Sequence, residues 1–278
     1  MNARFVMLLL VTGMLVSGCG IAYSYYQNRG RSYLTGGCDD NNLTSCEKAI
    51  RYFTKAIEIN PRLAEVYNNR GVAYLKKGDN DQAIRDYTQA IEINPRYAEA
   101  YYCRGLAYAK KGDYVQAIRD YTNAIEINPK MAFAYQGRAD VYEAKGEYDK
   151  AILDYTLAIE SNPRLAQACN NRGFAYDRKG DYDKAIQDYT RAIEINPRYA
   201  EAYMNRGCAY RMKGDYDKAI QDFTQAIEIN PRYADAYYNR GYAYRMKGDY
   251  GKGFSDSNKA CELGLEFACE QFREYKSR

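Results

Sequence analysis

The chain contains no histidine and no tryptophan, and only six prolines in 278 residues. Without an imidazole, every mechanism that needs a histidine base or metal ligand is closed. Charge of one sign is also missing: 40 basic residues stand against 36 acidic ones, and no stretch gathers the excess into a basic stripe. Nucleic acid is therefore not an expected partner. None of the eight cysteines forms a Cys-x-x-Cys pair, so no metal is expected. No glycine-rich phosphate loop occurs, and no carboxylate pair stands outside the repeating pattern described below, so the sequence offers neither catalytic residues nor a cofactor site. What it has is a 46% hydrophobic composition, enough for a substantial core, with 32 tyrosines as its main aromatic bulk.

The few prolines are regularly placed. Pro61, Pro95, Pro129, Pro163, Pro197 and Pro231 each follow the last by 34 residues. A fixed period of that length marks an array of helix-turn-helix units. In the unit Ala64 to Tyr97, Tyr67, Arg70, Gly71 and Tyr74 fall at helical spacing in the first half, and Ala83, Tyr87, Ala90 and Ile91 in the second. Gly78 suits a left-handed helix end, and Asp79 is placed to cap the next helix with Gln82 completing a capping box. Asn94-Pro95 ends the second helix, because proline has no amide hydrogen and disfavours helical backbone before it. Gly71, Ala83 and Ala90 sit where the two helices must approach closely.

These residues resemble the tetratricopeptide family: Tyr67, Gly71, Tyr74, Ala83, Tyr87, Ala90 and Pro95 match its pattern, which recurs from Ala98, Ala132, Ala166 and Ala200. The resemblance implies an all-α, right-handed α-solenoid of about seven repeats. The units run 23–63 with an insertion, 64–97, 98–131, 132–165, 166–199, 200–233 and a degenerate 234–267, with 268–278 as a C-terminal capping helix. Where the family usually has leucine, this chain has Arg70, Arg104, Arg138, Arg172, Arg206 and Arg240. Each is matched later in its unit by Asp86, Asp120, Asp154, Asp188, Asp222 or Asp256. A pair present in every unit reads as structural.

Both ends depart from the pattern. Ala49 follows Gly30 by 19 residues where Ala83 follows Gly71 by 12, an insertion of seven bracketed by Cys38 and Cys46. Eight residues along one helix would hold two cysteines about 12 Å apart, beyond the ~7 Å a disulfide allows. Here Asp39-Asp40-Asn41-Asn42 forms a turn, so the pair can close, for about 2.5 kcal/mol on the chain-entropy model. At the other end Gly253 and Ser257 replace core residues, and Cys261 and Cys269 repeat the eight-residue spacing around Gly264. Ala260-Cys261-Glu262-Leu263-Gly264 followed by Ala268-Cys269 resembles the cysteine-bridged Sel1-like repeats. Cys103, Cys169 and Cys208 have no such partner and read as packed or reduced thiols.

The first 18 residues read as an export signal: Arg4 precedes an apolar run from Phe5 to Val16, and small residues lead to Cys19. Leu15-Val16-Ser17-Gly18-Cys19 resembles the bacterial lipobox, which implies lipidation at Cys19, a short linker over 19–22 and a place in the cell envelope. Gly20 after the cysteine points to the outer membrane, facing the periplasm. Two disulfides would fit such an oxidising compartment.

In the family, first helices line a groove that binds partner proteins or peptide segments. The positions there that vary between units are Asn68, Tyr102, Gln136, Asn170, Met204 and Tyr238, then Asn69, Cys103, Gly137, Asn171, Asn205 and Asn239. Three further on come Val72, Leu106, Asp140, Phe174, Cys208 and Tyr242. The surface so predicted is rich in amides and aromatics, with little charge. Glu65, Glu99 and Glu201 occupy a position where the family's clamp for acidic C-termini needs a base, so acidic tails are not expected there. The sequence thus reads as a lipid-anchored, non-enzymatic interaction scaffold, with a glycan- or peptidoglycan-binding surface module as the alternative.

Overall fold

Each 34-residue period folds as a helical hairpin because both helices carry their own stop signals. The computed structural model describes residues 22–36, 38 and 43–270. Helices α1 (22–35), α2 (Leu43–Ile59), α3 (Ala64–Lys76), α4 (Asn80–Ile93), α5 (Ala98–Lys110), α6 (Tyr114–Ile127) and α7 (Ala132–Ala144) come first. They are followed by α8 (Tyr148–Ser161), α9 (Ala166–Arg178), α10 (Tyr182–Ile195), α11 (Ala200–Met212), α12 (Tyr216–Ile229), α13 (Ala234–Met246), α14 (Tyr250–Glu262) and α15, described over 266–270. No strand occurs among the described residues. The fold is an all-α solenoid of helix-turn-helix repeats, in two compact units, 1–141 and 142–278. In the first, α2 through α6 pack each on the next; in the second, α8 through α14 do the same.

The turn inside each hairpin differs in one respect from the sequence expectation. Gly78 takes φ +86°, its N–H donates to the Leu75 carbonyl at 3.2 Å, and the Asp79 N–H donates to the Tyr74 carbonyl at 2.9 Å. This closes α3 in the left-handed form that glycine alone adopts at little cost. Asp79 then caps α4 by accepting from the Gln82 N–H at 3.1 Å. The reciprocal half of the capping box does not form, because the Asp79 N–H is already committed to Tyr74. The Gln82 side chain instead accepts from Arg85 Nε at 3.1 Å. At the far end of α4, Asn94 is extended (φ −132°, ψ 92°) before Pro95, and its side chain accepts from the Arg96 N–H at 3.1 Å.

Between the helices lies a ring against a missing side chain. A Cβ on Gly71 would come within 2.7 Å of the Tyr87 ring, and one on Gly207 within 2.7 Å of Phe223. Tyr87, Tyr121, Tyr155, Tyr189, Phe53 and Phe223 are the largest fully buried side chains, flanked by fully buried Ala83, Ala90, Ala185 and Ala192. These contacts are the core of each hairpin.

The recurrent arginine joins three helices. Arg70 Nε and Nη2 donate to the two carboxylate oxygens of Asp86 at 2.8 and 2.7 Å. Its Nη1 reaches back to the preceding repeat, donating to the Thr54 hydroxyl at 3.0 Å. Thr54 gives its own proton to the Ile50 carbonyl at 2.9 Å, which leaves the oxygen free to accept. The same bridge forms from Thr88 through Arg104 to Asp120, and from Thr156 through Arg172 to Asp188. Arg206 and Arg240 repeat it with Thr190 and Asp222, and with Thr224 and Asp256. Arg138 reaches Thr122 at 2.9 Å. The carboxylates of Asp188 and Asp256 hold the Arg172 and Arg240 guanidiniums above their ordinary range, burial opposing. In the first repeat Tyr52 stands where the others have aspartate. Exposed Arg29 hydrogen-bonds Tyr52 and lies 5.7 Å from the Tyr33 ring centroid.

Cys38 is bonded to Cys46, with Cα atoms 4.6 Å apart, and Cys261 to Cys269 at 4.7 Å. In the first repeat, α2 has 17 residues against 14 in α4, so three of the seven inserted residues lengthen the helix and four lengthen the connection before it. The Asp39–Asn42 turn lies outside the described residues, as do the export signal and Cys19. At the other end Gly264, at φ +95°, closes α14 so that α15 can fold back and bring Cys269 to Cys261. The other described cysteines are free thiols: burial pushes Cys103 up to about 12 and Cys208 to about 11, and raises Cys169.

Three outcomes are expected. Asp222→Ala, which strands a mostly buried Arg206, should destabilise the protein by roughly 3–5 kcal/mol in urea titration, whereas Arg206→Met combined with Asp222→Leu should recover most of that loss. Ala185→Leu, at a fully buried position, should cost about 1–3 kcal/mol by the same measurement. In a chain beginning at Gly20, a thiol reagent at pH 8 should react slowly with the native protein, because groups raised this far hold almost no thiolate. After denaturation without reductant it should find three thiols among seven cysteines.

Candidate functional site, the face of the first helices

Within each unit the first helices approach one another. In the first unit α3 packs on α5; in the second, α9 packs on α11 and α11 on α13. Residues spaced three or four apart on these helices share a face, and the bridge arginines and core glycines are not on it.

In the first unit much of this face is paired or buried. Gln27 donates to Glu65 Oε2 at 3.0 Å and Arg31 pairs with the same carboxylate. Asn68 and Gln136 are buried. Both belong to the predicted groove set, and neither is exposed. Asn68 Oδ1 and Asn69 Nδ2 are buried without a hydrogen-bond partner. Tyr102 is half-buried, its ring 6.0 Å from that of Tyr121, and burial raises its hydroxyl to about 12.

The second unit is more open. Asn170 is only 1% exposed: it accepts from Asn205 Nδ2 at 3.1 Å and donates to Asn171 Oδ1 at 3.3 Å, so these amides tie α9 to α11. Asn239 donates to the Asp235 carbonyl of its own helix at 2.8 Å. The large apolar side chains Phe174 at 37%, Met212 at 53% and Met246 at 50% are accessible, as are the polar Gln167, Glu201 and Asp235 at the starts of these helices. Tyr238 meets Phe267 of α15 edge-on at 5.6 Å, and the Arg211 guanidinium lies 5.2 Å from the Tyr242 ring centroid.

The face also carries more charge than the three sequence positions suggested. Following each helix one turn further, Asn170 and Phe174 lead to Asp177, Met204 and Cys208 to Arg211, and Tyr238 and Tyr242 to Arg245. Burial raises the Asp177 carboxyl, against the pull of Arg178 and Arg211. Arg211 Nε is buried without a hydrogen-bond partner. These residues were legible in principle, since the same 3–4 spacing runs on to them. Among the described residues no cluster of potential metal ligands occurs, and no helix is long and apolar enough to cross a membrane.

Comparisons with known proteins agree with this architecture. Models described as tetratricopeptide repeat match residues 52–85, 98–131, 134–165, 166–199, 188–221 and 234–263, and one described as TPR repeat matches 73–112 and 207–248. Among solved structures, MamA is 32% identical with a TM-score of 0.55, covering 59% of this chain and 96% of its own. YrrB, described as "a TPR protein with an unusual peptide-binding site", is 25% identical with a TM-score of 0.58, covering 67% and 97%. A tetratricopeptide repeat protein from Parabacteroides merdae is 20% identical with a TM-score of 0.62, covering 91% and 98%, a likeness of fold alone. No curated protein matches. The matched repeats run from residue 52 to residue 263 over hairpins that share one 34-residue pattern, and the chain belongs to the tetratricopeptide repeat family.

Proposed function

We propose that this protein is a non-catalytic scaffold that holds a segment of a partner protein on its first-helix face, anchored in the bacterial envelope by a lipid on Cys19. The observation that carries the binding role is the second unit's face, where Phe174, Met212 and Met246 stand exposed on the helix positions that continue those of Tyr238 and Tyr242. Exposed apolar side chains grouped on one face of a repeat stack favour a partner's apolar anchors. Arg211 at its edge, whose Nε has no hydrogen-bond partner, adds a charge-assisted donor for backbone carbonyls or carboxylates. The likeness to YrrB supports a peptide segment as the ligand. Export is supported by the lipobox at Leu15–Cys19 and by the two disulfides, which persist in oxidising compartments.

Two measurements test this reading. A photocrosslinker at Tyr238 should capture a discrete envelope protein that the same probe at exposed Gln221 of α12 does not. Recovery of the same proteins from both positions, or of none, removes the scaffold role. Cys19→Ala should abolish palmitate incorporation and release the protein from membranes, and a labelled variant rules out the anchor.

A further inference from the structure

A second surface lies on a different face of the stack. Tyr101, Arg104 and Tyr108 recur at three and four residues along α5 and turn away from the face that carries Tyr102 and Leu106. With Thr88 of α4 and Gln116, Arg119, Asp120 and Asn123 of α6 they line a cavity of about 340 Å3, at the small end of ligand sites. Arg104, Asp120 and Thr88 satisfy one another in the three-helix bridge. The side chains of Gln116, Arg119 and Asn123 and both tyrosine hydroxyls make no hydrogen bond or ion pair among the described residues. One cation, two amides and two phenols therefore face one small cavity with their bonding capacity unused.

In the other repeats the equivalent side chains are engaged. At the position of Gln116 the later repeats have lysine, and Lys150, Lys184, Lys218 and Lys252 lie 5.2–5.3 Å from the ring centroids of Tyr142, Tyr176, Tyr210 and Tyr244, the counterparts of Tyr108. In the repeat before, Gln82 and Arg85 bond each other at 3.1 Å. Only around α5 and α6 are the glutamine and arginine both present and both free.

We propose that this cavity binds a carboxylate-bearing sugar, such as a hexuronic acid unit of an acidic glycan. The lining contains no Ala, Val, Leu, Ile, Met or Phe, so it offers no seat for an apolar peptide anchor. The uncovered Tyr108 ring suits the C–H face of a pyranose, and the amides and phenols suit its hydroxyls. Asp120 is neutralised by Arg104, which leaves the Arg119 charge uncompensated and directed to a carboxylate.

The test is calorimetric titration of the purified protein with trigalacturonate, neutral chitotriose and triglutamate. Trigalacturonate should bind at least tenfold more tightly than either of the others. Arg119→Gln and Gln116→Lys should each weaken it at least tenfold. Both substitutions copy residues that sister repeats carry at these positions, Gln187 and Lys184, so folding is kept. Absence of trigalacturonate binding, equal binding of triglutamate, or indifference to both variants overturns the proposal. None of these outcomes bears on crosslinking at Tyr238.

Discussion

The bridge from threonine through arginine to aspartate is the contact on which the stack depends. Each arginine uses its fork of donors on the aspartate of its own hairpin and its last amino group on the hairpin before, so one side chain sets both the angle within a repeat and the seating between repeats. A leucine there could pack but could not fix direction. The guanidinium is suited to the task because its donors are planar, rigid and permanently charged. A buried pair gains little net energy over well-packed apolar residues. Its contribution is to make any other arrangement of the hairpins costly, since a slipped interface would strand a charge.

The glycine and aromatic pair sets the second constraint. Gly71 lets the α3 backbone press on the Tyr87 ring, and that approach brings Arg70 within reach of Asp86, one residue earlier on each helix. The two contacts are thus geometrically coupled. At the termini the coupling relaxes: Tyr52 replaces the aspartate in the first repeat, Ser257 replaces the ring in the last, and each of these end repeats carries a disulfide. Covalent bonds stand where the repeating interactions are weakest.

Much of this was legible from the chain. The 34-residue period, the turn glycines, the extended asparagine before each proline and the arginine–aspartate pairing all follow from local rules repeated six times, which is why they could be read. What was missed involves competition or distance. The capping box at Gln82 was expected from spacing, but the Asp79 N–H cannot serve two acceptors, and the helix end took it. The threonine third of the bridge lies in the preceding repeat, where it resembles any polar helix residue until the hairpins dock. The variation that marks Asn68, Gln136 and Asn170 does not signal that the three side chains are buried.

That ambiguity has a physical resolution. In a stack of near-identical hairpins, bridge, ring and turn consume the same side chains throughout the central repeats, so the residues left for partners are those that both vary and retain unused contact capacity. Asn170 varies but is spent on Asn205 and Asn171. Phe174, Met212 and Met246 vary and remain uncovered, and so, on another face, do Gln116 and Arg119. The two sets differ in chemistry, one apolar with a charged edge, the other wholly polar around an open tyrosine ring. A ligand suited to one is therefore poorly suited to the other. The invariance of the scaffold makes this separation possible, because each face can change without disturbing the contacts that hold the hairpins together.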